Sequence, residues 1–175
     1  DSIVWACTSG SFVFGWDGAT AQVEALGKAA GVPASSTSFA FADACAHLGV
    51  TRVAVGATYP DDVAERFVAF LARAGVTVVW LSARGIITAA EVGTLPAADV
   101  LEFAAAVMDE AQADHADAQA LLLPDTALHT VDLLDALDAR VGKPVLTANQ
   151  VSIWQGLRLA GVHEPRSGLG TLFSH

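Results

Sequence analysis

Two runs in this sequence set a reactive side chain directly after an apolar stretch. They are Ser2-Ile3-Val4-Trp5-Ala6-Cys7-Thr8-Ser9 and Ala120-Leu121-Leu122-Leu123-Pro124-Asp125-Thr126-Ala127. In each, an apolar run ends at a chemically active group, then threonine, then a small residue. A thiol in that position can attack carbon or carry a proton. An ordinary thiol, with a pKa near about 8.5, is only a few per cent thiolate at pH 7, and backbone N–H groups behind it favour the ionised form. A carboxylate can donate, accept or hold a proton, depending on its surroundings. The two runs suggest half-sites that face each other across a cleft.

Each residue also has a plainer reading. Cys7 could be a small buried hydrophobe, the usual fate of a free cysteine. Asp125 could cap a helix starting near Ala127, a role that Asp performs well. Thr8 and Ser9 could simply form a turn, and Tyr59, the single tyrosine, could be an amphipathic ring at a helix start. His129 follows Asp125 by four residues, so a helix there would put both on one face. It reads as structural or as an edge contact rather than as a base.

The elements that must position these groups follow from periodicity. Residues 2–7 read as a buried strand. A helix follows over about 19–30, with Asp17 near its start and Gly31 and Pro33 at its stop. Residues 35–38 form a short extended piece or an N-cap, and an apolar helix over 39–48 carries Cys45 inward to Gly49. Residues 52–57 are a strand. Pro60 then stands where a first helical residue would, with Asp61 and Asp62 in the first turn. Val63, Phe67, Phe70 and Leu71 continue at helical spacing to Gly75. Strands follow over 77–81, 118–123 and 144–147, separated by helices over about 97–111 and 131–141. Ile153, Trp154 and Leu157 mark a last helix, and the glycine-containing tail from Gly161 reads as loop.

Strand alternating with helix predicts a parallel sheet with right-handed crossovers. Residues 50–150 supply four strands, enough for one α/β unit. Residues 1–49 and 151–175 supply only one or two, so a second α/β unit is expected to be incomplete in this chain, lacking N-terminal strands. In parallel sheets, ligands bind beyond the carboxyl ends of the strands. That selects Cys7 to Gly10, Thr58 and Tyr59, Ser82 to Gly85, Pro124 to Ala127, and Asn149 with Gln150.

Composition narrows the class. Hydrophobic residues make up 53% and charged residues 16%, which excludes disorder and predicts a large core. A net charge of −10 argues against nucleic acid and anionic membranes as partners. No apolar run approaches the roughly 18 residues needed to span a bilayer. The two cysteines, Cys7 and Cys45, form no CxxC, zinc or disulfide pattern, which fits free thiols in a reducing cytoplasm. His47, His115, His163 and His175 are scattered without ligand spacing. There is no Walker A loop, dinucleotide fingerprint or HExxH.

Several segments together resemble a known family. Ala6-Cys7-Thr8-Ser9-Gly10-Ser11-Phe12 resembles the first catalytic segment of maleate isomerases. Ala57-Thr58-Tyr59-Pro60-Asp61-Asp62 resembles their tyrosine segment and is similar in arylmalonate decarboxylases. Leu122 to Thr130 stands where the second catalytic segment belongs. Gly142 to Gln150, followed by Trp154 and Leu157 to Gly161, resembles the closing strand and helix. The chain thus resembles the aspartate/glutamate racemase superfamily, in its maleate cis-trans isomerase and arylmalonate decarboxylase branch. The resemblance covers essentially the whole chain.

That resemblance implies two Rossmann-like parallel-sheet domains with the active site between them. It implies a cofactor-independent isomerase of a small dicarboxylate, with no metal, in which Cys7 attacks an alkene carbon and Asp125 handles a proton or charge. Thr8, Ser9, Tyr59, Thr126 and Asn149 would bind the substrate. A homodimer is among the assemblies it allows. One departure matters. The family position matching Asp125 is a cysteine, so a two-thiol proton relay is absent here. Racemisation, decarboxylation, a step in amino-acid or ectoine breakdown, or binding without turnover therefore stay open as alternatives.

Overall fold

Short apolar strands feed helices through most of the chain, and each strand pairs parallel to its neighbour. The structure is a computed structural model that describes residues 1–174; His175, one of the scattered histidines, lies outside the described residues. The first part runs β1 (Ile3–Trp5), α1 (Ser9–Phe12), α2 (Gly15–Ala30), β2 (Ala34–Ser36) and α3 (Thr37–Leu48). The second runs β3 (Arg52–Ala57), α4 (Asp61–Arg73), β4 (Thr77–Ala83), α5 (Ala89–Val92), α6 (Ala97–Ala113), β5 (Ala120–Leu123), α7 (Leu134–Val141) and β6 (Val145–Thr147). It is closed by α8 (Ala148–Leu159), and short 3-10 turns occupy Val131–Leu133 and Thr171–Phe173. The sheets have the orders β4-β3-β5-β6 and β1-β2.

The strands of the larger sheet are covered on both faces, and their residues alternate between two cores. Val53, Val55, Leu122 and Leu146 face Phe41, Phe67 and Val151 from α3, α4 and α8. Ala54, Leu121, Leu123 and Val145 face Phe103, Val107 and Leu137 from α6 and α7. This is the period of two expected of strands buried on both sides. Burying each large apolar side chain contributes roughly 1.5–3 kcal/mol relative to leaving it in water. Gly56 lets the layers close. A Cβ there would stand 3.0 Å from Leu123 Cδ2 and 3.2 Å from the Phe103 ring.

Helix α8 ties the two sheets together. It packs on α3, β1, β2 and β6. Ser152 Oγ and Thr37 Oγ1 share a hydrogen bond of 2.6 Å, and Gln155 Nε2 donates to Asp43 Oδ2 at 2.6 Å. At its start, Thr147 and Gln150 form a reciprocal capping box. Gly31 and Gly49 stop α2 and α3 in the left-handed conformation, at φ 68° and 66°.

Most expected elements form, with instructive differences. The first strand is shorter than residues 2–7, because Cys7 N–H turns back to Trp5 O at 3.0 Å and leaves the ladder. The polar run after it coils into the single turn α1, in keeping with the turn that Thr8 and Ser9 allow. Pro60 is the residue before α4, with an extended ψ of 154°, rather than its first helical residue. The segment expected as one helix over 131–141 is split into a 3-10 turn and α7. No helix begins near Ala127, so Asp125 is not a helix cap, and His129 shares no helical face with it. Among the described residues no helix is long and apolar enough to cross a membrane.

Candidate active site

Cys7 leaves β1 through the turn just described and is half-buried. The next residues wrap tightly, since Ser11 N and Phe12 N both donate to Thr8 O, at 3.1 and 3.2 Å. Two buried hydroxyl contacts clamp this turn onto the start of α3. Ser38 Oγ donates to Thr8 O at 2.9 Å, and Ser11 Oγ shares a 2.9 Å hydrogen bond with Ser36 Oγ. The thiol lies over Gly10. A Cβ at that position would fall 2.9 Å from Cys7 Sγ and 3.1 Å from Trp5 Nε1. Glycine is therefore what makes room for the sulfur.

Thr8 is 1% exposed, and among the described residues its Oγ1 makes no hydrogen bond of good geometry, although it lies close enough to the Tyr59 phenol to favour that group's ionised form weakly. A buried hydroxyl without a partner is costly, so it is a group that a ligand can satisfy. Ser9, half-buried, opens the α1 turn.

Tyr59 follows β3 and is pinned through its backbone. Ile86 N donates to Thr58 O at 2.8 Å and Gly85 N to Tyr59 O at 3.1 Å, so the chain after β4 runs alongside. The Tyr59 ring tilts against Phe12, with centroids 5.9 Å apart. Its hydroxyl donates to Pro124 O. Burial, then the nearby Asp125 carboxylate, push this phenol well above its ordinary range, and Cys7 adds to the effect. Tyr59 is thus held as a neutral donor beside two groups that can carry negative charge.

Asp125 is 8% exposed. Its Oδ2 accepts a hydrogen bond from Thr58 Oγ1, and its Oδ1 accepts one from Ala127 N–H at 2.8 Å. The latter is an Asx-type turn, which replaces the expected helix cap. Among the described residues the ion pairs are Arg52–Asp117 and Arg73–Asp17, both remote from Asp125.

The structure therefore brings Cys7, Thr8, Tyr59 and Asp125 into one cluster. It gives Asn149 a different first task. Asn149 is the second residue of α8, not a strand end, and its Nδ2 donates to Thr126 O at 3.0 Å and Leu128 O at 3.4 Å. It holds the loop after Asp125 in place. Thr126 is half-buried within that loop and His129 is exposed. Asn149 and His129 also border a groove of about 530 Å³ with Leu95, Val131 and Leu133, beside the cluster rather than around it. Cys45 is in the core as expected, 0% exposed, and burial pushes its thiol up to about 12. Among the described residues no three His, Cys, Asp or Glu side chains gather as metal ligands would.

Thr58 has a role that its sequence position alone does not reveal. It stands after a strand, in a position that faces ligands, but its partner lies 67 residues away. Only the pairing of β3 with β5 brings the two together.

Comparison with known proteins agrees with the fold. The family model described as arylmalonate decarboxylase matches residues 1–173. Arylmalonate decarboxylase of Bordetella bronchiseptica is 31% identical over 167 residues, covering 95% of this chain and 68% of that protein. The solved structure of an unliganded arylmalonate decarboxylase superposes with a TM-score of 0.84 at 31% identity, over 98% of this chain and 73% of that one. The fold is also that of the maleate cis-trans isomerase of Nocardia farcinica. A variant of that enzyme carrying a covalently bound succinylcysteine intermediate gives a TM-score of 0.84 at 24% identity, over 99% of this chain and 71% of that one.

Proposed function

The chain belongs to the arylmalonate decarboxylase family, and from that premise we propose that it is a cofactor-independent enzyme that uses Cys7 to isomerise a small unsaturated acid about its double bond. The observation that carries this reading is the single accessible thiol among neutral donors. Cys7 is half-buried beside Thr8 and Tyr59, while the other thiol, Cys45, is sealed in the core. A reaction that needs two opposed thiols has no second sulfur here. A reaction that needs one has Cys7.

In this reading a substrate carboxylate accepts from the Thr8 hydroxyl, and from the Tyr59 hydroxyl once that turns from Pro124 O to the ligand. The Cys7 thiolate forms a C–S bond to one alkene carbon. The π electrons pass to the adjacent carbon and its carboxylate, giving an enediolate-like anion that the same hydroxyls stabilise. The former double bond is now single and rotates. The electrons then return, the C–S bond breaks, and the thiolate leaves with the trans product. No electrons are gained or lost overall. The covalent cysteine intermediate of the Nocardia isomerase is a precedent for the first bond.

A second reading is decarboxylation, favoured by the 31% identity to arylmalonate decarboxylase. There the C–C bond to one carboxylate of a malonate breaks, CO2 leaves, and the carbanion takes the proton of the Cys7 thiol, which solvent then restores. Incubation with maleate, its half-amide and an arylmalonate separates the two readings. Proton NMR reads the trans acid, and released CO2 reads decarboxylation. Cys7→Ala is expected to lower either activity by roughly three orders of magnitude or more. Full activity in that variant would falsify both.

A further inference from the structure

We propose that Asp125 recognises an N–H group of the substrate, and that Thr58 positions it for that task. The substrate is then a small acid with one carboxylate and, at its other end, a hydrogen-bond-donating nitrogen, as an ammonium or a primary amide. This rests on the reading of Thr8 and Tyr59 as the carboxylate end. It narrows the dicarboxylate expected from the sequence to an amino or half-amide counterpart.

The argument starts from an unbalanced charge. Asp125 is more than nine-tenths buried, yet both its protein partners are neutral. A buried carboxylate is costly unless it is paired, and two neutral hydrogen bonds compensate it only in part. Neither ion pair among the described residues reaches it. Thr58 and Ala127 each occupy one acceptor position. A carboxylate offers about four, so each oxygen retains capacity.

The neighbours make the same point. Cys7, Thr8 and Tyr59 are neutral or carry negative charge when they ionise. A dicarboxylate would place its second anion beside the Asp125 carboxylate, which has no cation paired with it among the described residues. An N–H donor reverses that interaction. It fills the free acceptor positions of Asp125, and an ammonium also balances its charge.

Thr58 fits the positioning role. It is 0% exposed, and its carbonyl is tied to Ile86 N at 2.8 Å. Its hydroxyl donates a hydrogen bond to Asp125 Oδ2. Thr58 thus holds one oxygen of the carboxylate and Ala127 N–H the other, and its remaining lone pairs have no partner among the described residues.

The test uses protection of Cys7 from iodoacetamide in the full chain, read by mass spectrometry. The ligands are butyrate, succinate, succinamate and 4-aminobutyrate, which share a carboxylate and differ at the far end. Succinamate or 4-aminobutyrate is expected to protect at roughly tenfold lower concentration than butyrate or succinate. Which of the two is better identifies amide or ammonium. Asp125→Asn should remove that advantage and improve succinate. Thr58→Val should shift preference the same way, and Thr58→Ser should restore it. The wild-type comparison stands even if a variant folds poorly. Succinate protecting as well as both nitrogen ligands, or both nitrogen ligands merely matching butyrate, would overturn the proposal while leaving the carboxylate cradle intact. Absence of protection by any acid, butyrate included, would overturn the cradle and the proposal with it.

Discussion

The hydroxyl of Thr58 donates to Oδ2 of Asp125, and the register of two parallel strands makes that contact possible. Val55 of β3 stands opposite Leu122 of β5. Three residues further along each strand lie Thr58 and Asp125. Because the strands are parallel, both side chains emerge at the same end of the sheet, where β1 also delivers Cys7. The candidate site is a consequence of strand direction and register together.

Gly10→Ala tests how closely the thiol is packed. The added methyl would fall 2.9 Å from Cys7 Sγ, so the sulfur must move. A displacement of about 1 Å at a reacting group can cost roughly 100-fold in rate. Turnover and the alkylation rate of Cys7 are both expected to change. Alanine favours helix over glycine by roughly 1 kcal/mol, so urea unfolding should show little loss of stability. Unchanged kinetics would mean that the sulfur's position is not critical.

The two cysteines should behave differently toward an alkylating reagent. Cys7 is half-buried, whereas Cys45 is sealed and its thiol pushed up to about 12 by burial. Peptide mapping at neutral pH should find label on Cys7 alone in the folded protein, and on both after denaturation. Equal labelling of Cys45 in the folded state would show that α3 opens more readily than its packing suggests.

Tyr59 gives a pH dependence with a definite sign. Its folded-state pKa is raised, first by burial and then by the Asp125 charge. In the unfolded chain a tyrosine ionises near about 10. Above that pH the unfolded state releases its proton while the folded state keeps it, so stability falls as pH rises. Below pH about 10 the contribution is fully present. Tyr59→Phe should flatten the alkaline part of the unfolding curve. Tyr59 is the single tyrosine, so tyrosinate absorbance reports it directly. Ionisation of the folded protein at the ordinary value would contradict the burial of the phenol.

Much of the architecture is legible in the residues themselves. The alternation of apolar blocks, the glycines after α2 and α3, and the acids at the start of α4 predict the parallel α/β order with boundaries shifted by a few residues. The largest errors fall where one contact outweighs local propensity. Asp125 Oδ1 accepts from Ala127 N–H as a cap would, yet the turn is not continued into a helix, and Oδ2 accepts from the distant Thr58 hydroxyl. Asn149 spends its amide on the loop after Asp125.

A thiol just after an apolar run, an aspartate just after another, and one tyrosine after β3 are matters of residue type and order, so they are readable from the chain alone. It also determined that strands would be parallel, since helices lie between them. The tertiary structure decided what those residues touch. Thr58 and Asp125 are 67 positions apart, and no local pattern encodes their meeting. The buried Thr8 hydroxyl beside Tyr59, the sulfur seated over Gly10 and the buried carboxylate held by two neutral donors are likewise properties of packing. Hydrogen bonding and burial depend on which strand lies beside which, and that is settled only when the sheet forms.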